Sequence, residues 1–178
     1  KKRESGKVVE LNSNIKSFLM KKYCRAYQAG AKLLMAALPW RSPKVLSGPG
    51  AVRKLPEAVR DRGFHKVLIV TGPKIRARGL LDELLEGMKE KKLEYVIFDG
   101  ISQNPTDEEV ENGVGRFLGE KCDCMIAFGG GSVMDCAKGI GARLARPNKT
   151  VAQLQGTFKV LHKLPMFYAV PTTAGTGS

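Results

Sequence analysis

Gly129, Gly130 and Gly131 stand in a row before Ser132. Three residues without a Cβ let a backbone approach a ligand closely, and if a helix starts here its free amides offer a site for phosphate oxygens. Ser132 adds a hydroxyl donor. The same glycines could also form nothing more than a turn between a strand and a helix. Asp135, three residues after Ser132, can be its capping-box partner. Metal chemistry has less to work with. Cys122-Asp123-Cys124 is a lone C-x-C, and His65 and His162 are the only histidines, which makes a weak ligand set. Both histidines read as ordinary loop or strand-flanking residues. Cys24, Cys122, Cys124 and Cys136 lack the spacing of a disulfide scaffold, so reduced cytoplasmic thiols are expected, with Cys122 and Cys124 on one side of a strand.

The elements that must position these residues alternate. From Val45 onward, short apolar runs exchange with helical stretches, the pattern of a parallel α/β sheet flanked by helices. Strands are expected at Val45-Leu46, 66–71, 94–98, 122–128 and 166–170, with helices over 52–60, 78–91 and 133–145 and a short element near 151–154. Asn104-Pro105-Thr106 opens a further helix, because Thr106 and Glu109 have capping-box spacing and three acids fill the first turn. A ligand in such a sheet lies beyond the carboxyl ends of the strands, which is where the glycine run falls.

Residues 1–43 read differently, as a basic N-terminal extension. Asn12 or Ser13 can cap an amphipathic helix whose stripe carries Ile15, Phe18, Leu19, Tyr23, Ala26, Leu33, Leu34 and Leu38, stopped by Pro39. The helix could dock on a membrane surface or a partner, or pack on the body of the protein. Charge is concentrated here. Residues 1–66 hold 16 Lys and Arg against 4 Asp and Glu, whereas residues 67–178 hold 14 against 13. No apolar run approaches the roughly 20 residues that span a bilayer, and no secretory leader is read at the start. The basic flank lacks interleaved aromatics, so nucleic acid is not expected as a partner.

The run from Gly129 to Lys138, GGGSVMDCAK, resembles the glycine-rich signature of the iron-containing (group III) alcohol dehydrogenases. Pro171 to Ser178, PTTAGTGS, resembles the same family's threonine-rich motif, and Asn104-Pro105-Thr106 its N-P-T. The resemblance covers about 45–178. It implies a Rossmann-like sheet of the dehydroquinate synthase-like N-terminal type over 44–178. It also implies an oxidoreductase that interconverts small alcohols and aldehydes or ketones with NADP or NAD, in a homo-oligomeric, cytoplasmic setting. Carried over by position, Asn104, Gly130, Gly131, Ser132, Asp135, Thr172, Thr173 and Thr176 contact the cofactor. The family's divalent metal, Fe or Zn, is held by an Asp and three His that lie beyond Ser178, so no catalytic or metal residue is assigned within the chain.

One departure carries a specificity prediction. Many members end the second strand with an Asp that accepts from the adenosine ribose 2′-hydroxyl, whereas this strand ends Val70-Thr71-Gly72. Gly72 removes a carboxylate that would repel a 2′-phosphate, and Lys74, Arg76 and Arg78 follow. NADP use, or tolerance of both cofactors, is expected; the cations could instead be a solvated helix start. Two other functions compete: a polyol dehydrogenase of the glycerol dehydrogenase type, against which the threonine-rich motif argues, and a non-catalytic nucleotide-binding fragment with a basic membrane- or partner-binding flank.

Overall fold

The structure is a computed structural model. It describes residues 2–37 and 43–174, with side chains from residue 16 onward except at 34 and 37. The expected helix stop at Leu38-Pro39 and the residues Gly175 to Ser178, Thr176 included, lie outside the described residues. The chain divides into two compact units, Lys1–Val45 and Leu46–Ser178.

The first unit is one helix, α1 (Lys2–Ala37). Its backbone is helical through Asn12 and Ser13, so neither residue caps it. Lys, Arg, Glu and Val precede them, and no proline interrupts the run. Phe18, Leu19, Tyr23 and Leu33 of the expected stripe are exposed; the side chains of Ile15 and Leu34 lie outside the described residues. Among the described residues no helix is long and apolar enough to cross a membrane.

The second unit is a four-stranded parallel sheet between helices. In chain order it runs α2 (Ala51–Arg60), β1 (Lys66–Thr71), α3 (Pro73–Ala77), α4 (Asp82–Glu90), β2 (Glu94–Phe98), α5 (Asp107–Gly119), β3 (Cys124–Gly129), α6 (Gly131–Ala145), α7 (Val151–Leu154) and β4 (Met166–Pro171). The strand order is β2-β1-β3-β4. β1 and β3 are buried on both faces, which explains the unbroken apolar runs Val67–Val70 and Cys124–Phe128. Leu68, Val70, Met125 and Ala127 pack with α5 and α6 residues such as Val114 and Ile140. Val67, Ile69, Cys124, Ile126 and Phe128 turn the other way, against Leu55, Val59, Leu84 and Met88 of α2 and α4. Each such Leu or Ile contributes about 1.5–3 kcal/mol by leaving water.

Three expectations need correction. Val45 and Leu46 form no strand: they are exposed, lie between Pro43 and the positive-φ glycines Gly48 and Gly50, and have no neighbouring strand to pair with among the described residues. The helix expected over 78–91 begins only at Asp82, as α4, because Gly79 adopts φ 68° and holds 78–81 in a turn; the separate short helix α3 before it was not expected. Cys122 and Cys124 do not share a side. Cys122 precedes β3 and joins the α5–α6 core, whereas Cys124 joins the α2–α4 core.

Candidate functional site

Parallel strands leave their carboxyl ends together, and here the chain reverses direction across the sheet between β1 and β3. From β1 it steps outward to β2, then returns past β1 to β3, so the crevice above the β1–β3 pair is the switch point where doubly wound sheets bind ligands. Thr71, fully buried at the end of β1, ties the two lips together: its hydroxyl donates to the Phe128 carbonyl at 2.8 Å.

The first turn of α6 opens into this crevice. Gly130 is its N-cap with no side-chain cap, and the first turn carries no acid. Among the described residues the amides of Gly131, Ser132 and Val133 take no protein acceptor, and Met134 is the first to bond back, to Gly130. Three free donors at the positive end of a 15-residue helix suit an anionic oxygen cluster. The glycines have separate reasons. A Cβ on Gly129 would sit 2.6 Å from Val133 Cγ2, so this glycine serves the join of strand to helix. A Cβ on Gly130 would meet Thr173 Oγ1 at 3.0 Å, on the open side of the turn.

Three segments close round that turn. Thr172 extends the β4 pairing by donating its amide to the Gly129 carbonyl at 2.9 Å, and Thr173 lies against Gly130. Gly72 lies beside Val133, and a Cβ there would rest 3.9 Å from Val133 Cγ2, so a larger residue has room. The loop before α5 is fixed by Glu109, whose carboxylate accepts from the amides of Ser102 at 3.0 Å and Thr106 at 2.9 Å, while Thr106 Oγ1 accepts from the Glu109 amide. Those donors, the Thr106 amide foremost, hold the Glu109 carboxyl below its ordinary pKa. Ser102 donates to the Asn104 carbonyl at 2.8 Å, and Ser132 donates its hydroxyl to the Gln103 carbonyl. The loop and the α6 turn are thereby joined, with the exposed Asn104 next to the contact.

The structure thus brings Gly72, Asn104, Gly130, Gly131, Ser132, Thr172 and Thr173 around one helix start. Two details differ from the sequence reading. Ser132 spends its hydroxyl proton inside the protein, leaving its oxygen free only to accept. Asp135 caps nothing: it lies a turn into α6, exposed, 3.7 Å from Lys138. Metal ligands are missing among the described residues, where no group of three or more His, Cys, Asp or Glu could hold an ion. His65 flanks the opposite end of the sheet, beside Asp123, and Cys122 and Cys124 are divided between the two cores. The sequence reading missed Thr71, the loop-anchoring reach of Glu109 and the ion pair of Arg76 with Asp99. A threonine closing an otherwise apolar strand was the one visible signal for the first; the other two join residues separated in sequence.

The family profile described as "Iron-containing alcohol dehydrogenase" matches residues 42–178. The chain belongs to this family. Among similar proteins, a 1,3-propanediol dehydrogenase from Klebsiella pneumoniae is 39% identical over 133 residues, which are 74% of this chain and 34% of that protein. An NAD-dependent methanol dehydrogenase from Bacillus methanolicus is 35% identical over 136 residues, 76% of this chain and 35% of its own. The chain spans about a third of the length of the curated relatives it matches. Its fold is likewise similar to that of solved structures. The alcohol dehydrogenase from Oenococcus oeni superposes with a TM-score of 0.71 at 30% identity, covering 79% of this chain and 37% of that one. A sulfoacetaldehyde reductase from Bifidobacterium kashiwanohense, solved in complex with NAD+, gives 0.65 at 25% identity, covering 79% and 38%.

Proposed function

We propose that this chain supplies the dinucleotide-binding part of an alcohol dehydrogenase that interconverts small alcohols with aldehydes or ketones. The observation that carries this reading is the uncapped, acid-free start of α6 in the switch-point crevice. There Gly131, Ser132 and Val133 would offer amides to the diphosphate, and Gly130 leaves the approach open beneath Thr173. Thr172, Thr173, Asn104 and, outside the described residues, Thr176 add uncharged polar groups suited to a carboxamide or a ribose. None brings a charge that repels phosphate. Asp135 belongs to this set only by family position.

A bound nicotinamide would accept or release a hydride. The chain's own residues would bind it and orient it. Residues 44–178 form the binding domain in this reading, and residues 1–43 an extension to it. A divalent metal, a homo-oligomeric assembly and a cytoplasmic setting belong to the whole protein that the family implies.

NADPH is the favoured dinucleotide, because Gly72 leaves the end of β1 without a carboxylate and the α3 segment that follows carries Lys74 and Arg78 as well as Arg76, of which, among the described residues, only Arg76 is ion-paired, with Asp99. Fluorescence titration with NADPH and NADH tests both parts. NADPH should bind more tightly; a clear preference for NADH ends the specificity reading, and no binding of either ends the functional one. Gly72→Asp, for which there is space, should move the preference toward NADH by about tenfold, near 1.4 kcal/mol.

A further inference from the structure

Arg76 and Asp99 meet at the carboxyl ends of β1 and β2, with Arg76 Nη1 donating to Asp99 Oδ2 at 2.5 Å. The side chains remain reachable, at 54% and 34% exposure. Strand register sets Val70 opposite Phe98, so Asp99 stands across from Thr71, one strand spacing of about 4.8 Å from the chain that enters Gly72. The carboxylate absent at Gly72 is therefore present one strand over, already holding a guanidinium.

We infer that this pair reads the 2′ position of the adenosine ribose, Asp99 accepting from the 2′-hydroxyl of NADH and Arg76 taking the 2′-phosphate of NADPH. The inference rests on the reading above that the adenosine half lies at Gly72, and it names the two side chains that choose between cofactors there. A carboxylate accepts from a hydroxyl and repels a phosphate dianion; a guanidinium does the reverse and can present two parallel N–H groups to phosphate oxygens. Because each partner neutralises the other before binding, neither cofactor meets an unopposed like charge. Lys74 and Arg78 are exposed, with no ion pair or hydrogen bond through their side chains among the described residues. They supply attraction without fixed direction, whereas Arg76 is oriented.

Titration of the protein with NADPH and NADH, followed by nicotinamide fluorescence, separates the two roles. Arg76→Ala should weaken NADPH about tenfold or more, the value of a charge-assisted hydrogen bond, and leave NADH unchanged. Asp99→Asn should weaken NADH by a similar factor and leave NADPH unchanged or tighter. Arg76→Lys, which keeps the charge and loses the fork, should recover part of the NADPH binding. Thermal midpoints are followed for each variant, and Arg76→Lys carries the Arg76 arm if Arg76→Ala unfolds. Equal weakening of both cofactors by Arg76→Ala, or NADH binding indifferent to Asp99→Asn, overturns the pair's role even where Gly72→Asp shifts the preference. A preference that ignores Gly72→Asp overturns the placement of the adenosine half itself, and the pair's role with it.

Discussion

Neighbouring glycines in the α6 turn answer to different forces, and substitution separates them. At Gly129 an added methyl would press on Val133, a β-branched helical residue with essentially one rotamer and no means of swinging away. Gly129→Ala should therefore lower unfolding stability by about 1–3 kcal/mol in urea denaturation, as overpacking does. At Gly130 the obstacle is a threonine hydroxyl at the surface. Gly130→Ala should keep its denaturation midpoint and lose about tenfold in NADPH affinity, near 1.4 kcal/mol. A mutant pair with the two effects exchanged would show that the roles are assigned the wrong way round.

The start of α5 couples an element's stability to the site. Thr106→Ala removes the cap and should cost about 1 kcal/mol. Glu109 adds a pH dependence. Its carboxyl is held below the unfolded value of about 4.3, so its contribution is fully present above that pH and is lost as pH falls through the lower folded value. Glu109→Gln should be less stable than the parent at neutral pH, and the gap should close on acidification; a gap constant down to pH 3 would place the stabilisation elsewhere. Much of this was legible in sequence. Thr106 and Glu109 announce the cap because capping is local, and 66–71 and 122–128 read as strands because burial on both faces demands continuous apolar residues. Gly130 to Ser132 could be picked out as a candidate for the same reason: a helix start is written in consecutive residues. Val45-Leu46 misled because strand formation depends on a partner that two apolar residues do not reveal. The link from Ser132 to Gln103 and that from Arg76 to Asp99 were hidden because each depends on which loops the sheet order brings together.

Across the whole molecule, the unit Leu46–Ser178 has its own two-faced core, drawn from α2, α4, α5, α6 and the sheet. Deleting residues 1–43 should leave its urea-denaturation midpoint and NADPH affinity intact, and loss of either would make α1 part of the binding domain. The cysteines give that domain a clock. Burial pushes the thiols of Cys122 up to about 11 and Cys136 up to about 12, and raises Cys124 as well. Cys24 is exposed. A thiol reagent at neutral pH would thus count one sulfur at once, and the other three only as the protein opens. Because Cys122 and Cys136 belong to one face of the sheet and Cys124 to the other, the order in which their masses appear would record which side of the domain lets go first.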